Sequence, residues 1–305
     1  MQLTASILSL SVLPMEIILG TWQMCPSDGF WQDQNTDDSE KTLRCALKHN
    51  IRVFDTAQSY GKGHAEQMLG KVASGKDVLF DTKIMPTTKN IEDVVNLSLK
   101  RLKCSFLNRI YIHWPSSRID WKANLKSLMN LKEKGLIRKV GVCNLTFDQL
   151  KNLYSEIQID CFQRPVSLLW SREYDNVRAF CSSHNIELVA YSPMGMGLLS
   201  GKYRNLTNLS PSDPRSSLFC FQGACGDVFK NLLSVCNAED ALLWVKAKNP
   251  DILILGARNP SQLEQNLQIL EKNIDQERFD ALTSLSNRLA SASESICDNI
   301  FSYRW

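Results

Sequence analysis

The sequence predicts an α/β chain closed into a (β/α)8 TIM barrel, and three observations predict it. Short apolar strands alternate with longer amphipathic segments along most of the chain, which is the mark of βαβ units on a parallel sheet. The strand candidates are near-continuous apolar runs, as strands covered on both faces are. No Gly-x-Gly-x-x-Gly follows an early strand, so the fingerprint of an open, doubly wound sheet is missing. The 305 residues suit one barrel domain spanning 1–305, since such barrels commonly take about 250.

The elements follow in chain order. Residues 7–13 read as an alternating strand rather than a signal peptide, because no basic leader precedes them and Ser9 and Ser11 interrupt the run. They supply an N-terminal β-hairpin. Strands are then expected at 51–54, 78–80, 110–112, 139–142, 187–190 and 252–255. Helices are expected at 39–48, 90–102, 121–134, 146–153, 176–184 and 261–270. Ser39 reads as the first cap, Asn90 as the second, and Ser261 as the last with Glu264 as its capping-box partner. Residues 204–227 form one long irregular stretch, expected to lie over the active-site mouth. Phe279, Leu282, Leu285 and Leu289 carry helical spacing, giving a C-terminal helix packed on the barrel. The aromatic tail 301–305 reads as a cover for the mouth, a subunit contact or a plain surface tail.

Composition narrows the function. Hydrophobic residues make up 44% and charged residues 22%, so a core forms without disulfides or metal. A net charge of +3 is too mild to argue for nucleic acid or an anionic membrane. No run approaches a membrane span. Ten cysteines are scattered without a Cys-x-x-Cys, which reads as reduced thiols of a cytoplasmic protein. A Cys220–Cys225 redox pair is the minor alternative.

In a barrel, chemistry belongs at the C-terminal ends of the strands. There three successive strands deliver Asp55 with Tyr60, then Lys83, then His113. Each alone has a bland reading as rim packing, a solvated charge or a turn histidine. Together they suit carbonyl reduction. A carbonyl that accepts hydride needs a proton on its oxygen, and a nearby ammonium is expected to lower a tyrosine pKa from about 10 toward the useful range. Asp55 would hold the lysine, and His113 would hydrogen-bond the oxygen.

These residues sit in motifs that resemble the aldo-keto reductase family. Phe54-Asp-Thr-Ala-Gln-Ser-Tyr-Gly61, continued by Gly63-His-Ala-Glu66, is similar to its Asp–Tyr signature. Thr82-Lys83 resembles its lysine motif, and Ile112-His-Trp-Pro115 its histidine motif. The similarity runs from Gly20-Thr-Trp22 to about Leu270.

The resemblance implies an NADPH-dependent reductase of aldehydes or ketones with the tetrad Asp55, Tyr60, Lys83 and His113. It implies NADP contacts from Gly20, Thr21 and Trp22. Cys143, Asn144 and Gln163 would hold the carboxamide, and Tyr191 would stack on the nicotinamide. Ser192, Pro193, Met194, Gly195, Gly197, Leu198 and Lys202 would meet the pyrophosphate. Gly256, Arg258, Gln262, Gln265 and Asn266 would form the adenosine end, with Arg258 on a 2′-phosphate. The carbonyl substrate would lie against Trp22, Trp31, Tyr60, His113 and Trp114, with Trp170 and the 204–227 loop as further candidates.

Four departures from the family pattern stand out. Cys143 replaces a serine, Val166 replaces an aromatic in a way that reshapes the substrate pocket, and Gln265 stands where Glu is frequent. Residues 228–244 are shortened, so 231–244 must serve for a helix, a turn and a second helix. Two alternatives stay open: an NADPH-binding regulatory subunit resembling potassium-channel β subunits, or a biosynthetic enzyme oxidising an alcohol or dehydrating on the same barrel.

Overall fold

The structure is a computed structural model that describes residues 15–25, 31, 34–204, 209–210, 213–294 and 296. Eight parallel strands close in sequence order: β1 (Glu16–Gly20), β2 (Val53–Asp55), β3 (Leu79–Ile84), β4 (Leu107–Ile112), β5 (Ile137–Cys143), β6 (Cys161–Pro165), β7 (Glu187–Tyr191) and β8 (Ile252–Leu255). Closure comes from β1 on β8, with Glu16 opposite Ile252 and Leu19 opposite Leu255. The helices are α1 (Thr36–Lys48), α2 (His64–Val72), α3 (Ile91–Leu102), α4 (Trp121–Glu133), α5 (Phe147–Tyr154), α6 (Tyr174–Ser183), α7 (Gly223–Val235), α8 (Ala238–Lys248), α9 (Pro260–Leu270) and α10 (Gln276–Ser293).

The strand period of two splits the core into two clusters. Ile18, Val53, Tyr111, Cys143, Cys161, Val189, Ile252 and Ile254 pack together inside the barrel. Their neighbours in sequence, such as Phe54, Ile110, Val142, Phe162, Leu188 and Leu253, belong to the larger cluster under the helices. The N-terminal end of the interior is polar. The buried Arg109 reaches Asp81 at 3.1 Å, Glu187 at 2.9 Å and Glu16 at 3.4 Å. Burial outweighs Arg109 and lifts the Asp81 carboxyl to about 6.

Several local expectations are corrected. β1 and β6 were not anticipated as strands. β6, Cys-Phe-Gln-Arg-Pro, is buried throughout yet lacks an apolar run. Asn35 rather than Ser39 caps α1, accepting from the Asp37 N–H at 2.8 Å, while Ser39 lies buried within the helix. Asn259 rather than Ser261 caps α9, accepting from the Gln262 N–H at 2.9 Å; Pro260 then occupies the first turn, where its missing N–H costs nothing. The shortened segment holds both helices. α7 starts inside the stretch read as loop, and Cys236 and Asn237 join it to α8, whose N-terminus is closed by an Asn237–Asp240 capping box.

Within 204–227, residues 214–217 and 219–221 form short 3₁₀ turns. No disulfide joins Cys220 to Cys225. The expected strand at 7–13 with its hairpin and the tail at 301–305 lie outside the described residues. No helix among the described residues is long and apolar enough to cross a membrane.

Candidate active site

Asp55 ends β2 and Lys83 is the penultimate residue of β3, so the same alternation that fills the barrel points both inward at its C-terminal rim. Lys83 is 2% exposed; its Nζ donates to Asp55 Oδ1 at 2.5 Å and to the Thr56 carbonyl at 2.8 Å. Its third contact is Tyr60 Oη at 3.3 Å. A charged pair this dry is a poor source of stability, because desolvation cancels most of its attraction. Its position is better understood as serving Tyr60.

Tyr60 opens a 3₁₀ turn whose next residues are left-handed, Gly61 at φ 55°, Lys62 at 56° and Gly63 at 95°. The turn is anchored by the fully buried Glu66 of α2. It accepts from Thr82 at 2.8 Å, Ser98 at 2.7 Å and Arg101 at 3.1 Å. The environment of Tyr60 corrects one expectation. Burial raises the phenol pKa first, Lys83 opposes it, and burial prevails, so the group is pushed up rather than down. A phenol in this state holds its proton at neutral pH.

His113 follows β4 with its ring centroid 5.8 Å from that of Tyr60 in an edge-on arrangement. Burial, then the Lys83 charge, hold the imidazole well below its ordinary 6.5, so it is neutral. Its Nδ1 is buried with no hydrogen-bond partner among the described residues. The Trp22 ring stacks over Tyr60 at 6.2 Å, and Trp31 meets Trp22 edge-on at 5.3 Å. Trp114 lies beside His113 at 5.9 Å. One rim therefore carries a protonated phenol, an ammonium beneath it, a neutral imidazole and an aromatic wall.

The amides form the next layer. Asn144, left-handed at φ 62°, donates from Nδ2 to the His113 carbonyl at 3.0 Å and accepts at Oδ1 from the Tyr191 hydroxyl at 2.8 Å. Gln163 donates from Nε2 to Asp55 Oδ2 at 3.0 Å. The Cys143 thiol is fully buried and burial pushes its pKa well up, so it offers neither a charge nor a strong hydrogen bond. Thr21 donates from Oγ1 to the Asp55 carbonyl at 3.0 Å, pinning the end of β1 to the end of β2.

Beyond β7 the backbone turns left-handed at Ser192 (φ 54°), Gly195 (56°), Met196 (55°) and Gly197 (84°) before the 3₁₀ turn Leu198–Ser200. Strained positions of this kind cost of order 1–3 kcal/mol each outside glycine, and they cluster at ligand clamps. Across the rim, Arg258 donates from Nε to Gln34 Oε1 at 2.7 Å, and its N–H reaches Gln262 Oε1 at 2.9 Å at the start of α9. Asn266 donates to the Gly256 carbonyl at 3.3 Å. Gln265 is exposed and donates from Nε2 to Ser261 Oγ at 3.4 Å.

Three residues around the rim escaped the sequence reading. Gln23 ties the Gly20 carbonyl at 2.8 Å to the Ala257 carbonyl at 3.2 Å, and Gln34 braces Arg258. Arg215 donates to the Met196 carbonyl at 3.0 Å and to Tyr203 Oη at 2.9 Å, and pairs with Asp213 at 2.6 Å. It seats the described part of the 204–227 segment on the left-handed turn. That anchor was not legible, since no local pattern marks a single arginine.

The sequence matches the model of the Aldo/keto reductase family over residues 16–287. The chain belongs to the aldo/keto reductase family. This aldo/keto reductase is similar to aldo-keto reductase YhdN of Bacillus subtilis, 27% identical over 317 residues covering 93% of this chain and 94% of that one. It is also similar to the chloroplastic pyridoxal reductase of Arabidopsis thaliana, 32% identical over 69% of this chain and 64% of that protein. Among solved structures, an aldo/keto reductase from Klebsiella pneumoniae in complex with NADP and acetate superposes with a TM-score of 0.67. It is 23% identical, covering 88% of this chain and 90% of that one.

Two expected pocket residues of this aldo/keto reductase lie elsewhere. Trp170 is 1% exposed and packs on Phe219 at 6.3 Å, in the core rather than at the rim. Val166 is fully buried among core residues, so its departure from an aromatic changes packing behind β6.

Proposed function

We propose that this chain reduces an aldehyde or ketone with NADPH, and that Tyr60 protonates the carbonyl oxygen. The observation that carries this reading is the Lys83 ammonium placed between Asp55 Oδ1 and Tyr60 Oη, with the neutral His113 ring beside the phenol.

The residues present fit the cofactor. Asn144 and Gln163 offer amides to a carboxamide, with Cys143 too buried and too weak a partner to add a third contact. The left-handed turn at 192–197 has the backbone form from which a pyrophosphate nest is built, with its Gly195 and Gly197 N–H groups on the Ser192 and Met194 carbonyls. Arg258 at the start of α9 suits a 2′-phosphate, through its guanidinium and the helix dipole. The Klebsiella relative of the same fold holds NADP. Bound NADPH supplies the hydride.

Every other step belongs to the chain. His113, neutral and with its buried Nδ1 unengaged, holds the carbonyl oxygen by a ring N–H. The Tyr60 O–H proton passes to that oxygen as the carbonyl carbon takes the hydride. Lys83, fixed by Asp55, stabilises the phenolate left behind. Trp22, Trp31 and Trp114 exclude water and favour an apolar or aromatic carbonyl, a preference in keeping with a relative named for reducing pyridoxal.

Tyr60→Phe tests this. NADPH binding, followed by its fluorescence, is expected to stay within twofold. Reduction of a panel of aromatic aldehydes is expected to fall by about 10²–10⁴-fold, the usual worth of a positioned acid. Turnover at the wild-type rate would overturn the assignment.

A further inference from the structure

Away from the rim, the described residues bring one thiol, one imidazole and one carboxylate together on the outer surface. Cys45, His49 and Glu264 place a ligand atom each within 4.8 Å of one another. The spacing follows from the fold. Cys45 and His49 stand four apart, on one side of α1 and its C-terminal end, and Glu264 projects from the neighbouring α9. Cys45 Sγ lies 3.6 Å from Glu264 Oε1, and His49 Nε2 lies 3.6 Å from the same oxygen.

We propose that Cys45, His49 and Glu264 form a binding site for Zn²⁺ or a similarly thiophilic divalent cation, joining α1 to α9. Zinc bonds of about 2.3 Å to sulfur and about 2.0–2.2 Å to nitrogen and oxygen, at tetrahedral angles, put ligand atoms about 3.3–3.6 Å apart. The two separations above fit that edge length with little adjustment. The donor set selects among metals: a thiolate with an imidazole favours zinc over calcium or magnesium, which take oxygen ligands. The thiol is nearly buried, whereas the imidazole is 44% and the carboxylate 50% exposed. Solvent therefore reaches the site from one side, leaving the fourth position to water. His49 also closes the negative end of α1, where a cation is favoured. Lys48 stands near enough to Cys45 to oppose a cation, and Glu264 offsets it. On binding, the Cys45 proton leaves to solvent and the thiolate takes its place on the metal.

The site is independent of the reductase reading, and its consequence is mechanical. α1 begins beside Gln34, which braces Arg258, and α9 begins just after Arg258. An ion there would tie the C-terminal end of α1 to the first half of α9, six residues after Arg258.

The test uses the full chain, reduced and stripped of metal, titrated with Co²⁺ alone. One equivalent is expected to give a near-ultraviolet thiolate-to-cobalt charge-transfer band that one equivalent of Zn²⁺ removes. Cys45→Ser is expected to abolish the band. His49→Gln and Glu264→Gln, at half-exposed positions that folding tolerates, are each expected to weaken Co²⁺ binding at least about tenfold. No band at stoichiometric Co²⁺, a band that survives Cys45→Ser, or wild-type affinity in both surface variants would each overturn the proposal.

Discussion

Gln163 Nε2 donates to Oδ2 of Asp55 at 3.0 Å, while Lys83 donates to the other oxygen, Oδ1, at 2.5 Å. The carboxylate is gripped from both sides. The amide we propose for the cofactor's carboxamide is thereby also a strut of the lysine pair. We predict that Gln163→Leu costs about 1–3 kcal/mol of stability, the price of leaving a buried acceptor without its donor. It should weaken NADPH binding in the same variant. Urea denaturation and cofactor fluorescence read the two effects. A loss of affinity with unchanged stability would show that the Asp55 contact contributes nothing.

Two residues before Lys83 on β3, Asp81 is lifted to about 6 by burial, against the pull of Arg109. A carboxyl whose folded pKa is raised contributes stability that is full below its unfolded value and is lost as pH rises through about 6. The wild-type protein should therefore lose part of its stability between about pH 4 and pH 6 through this group. Asp81→Asn should flatten that slope. Denaturation midpoints across this range decide it, and an unchanged slope would exclude Asp81 as the source.

Gly141 in β5 has no room for a side chain. A Cβ there would stand 2.2 Å from the Cys161 carbonyl oxygen and 2.6 Å from Cys161 Sγ. The nearer atom is backbone on the adjacent strand and cannot step aside. Gly141→Ala is expected to cost at least about 1–3 kcal/mol, the range for overpacking a tight core. A thermal midpoint equal to wild type would count against the close approach of β5 and β6.

Arg258 is braced by Gln34 and by the first turn of α9. If it meets a 2′-phosphate, Arg258→Met should weaken NADPH about tenfold to a hundredfold, the worth of a charged hydrogen bond, and leave NADH nearly unchanged. Equal losses for both cofactors would move the phosphate contact elsewhere.

Much of the site was legible because its information is local. Asp55, Lys83 and His113 each follow an apolar run, and strand alternation alone places Asp55 and Lys83 on one face. Other features were hidden for definite reasons. β6 carries Gln163 and Arg164 through the middle of a buried strand, so its hydrophobic signal is interrupted although its burial is complete. β1 is a five-residue run, Glu16–Gly20, that ends in a glycine and follows closely on the longer apolar run at 7–13. Ser39 and Ser261 are sound cap formers by type, yet Asn35 and Asn259 cap, because only the backbone path decides which residue stands just outside the first turn. The metal-type cluster was invisible, since Glu264 lies 219 positions from Cys45.

The sequence by itself determined the barrel class, six of its eight strands and the identity of the residues at their ends, because these follow from hydrophobic period and chain order. Tertiary structure alone decided what those residues do to one another. Asp55 and Gln163 are 108 positions apart and meet only when the barrel closes. The charge state of Tyr60 turned the same way. A lysine beside a tyrosine predicts a lowered pKa, but in a site this dry the loss of water raises it by more than the ammonium lowers it. Desolvation is a property of everything packed around a group, and no stretch of chain carries it alone.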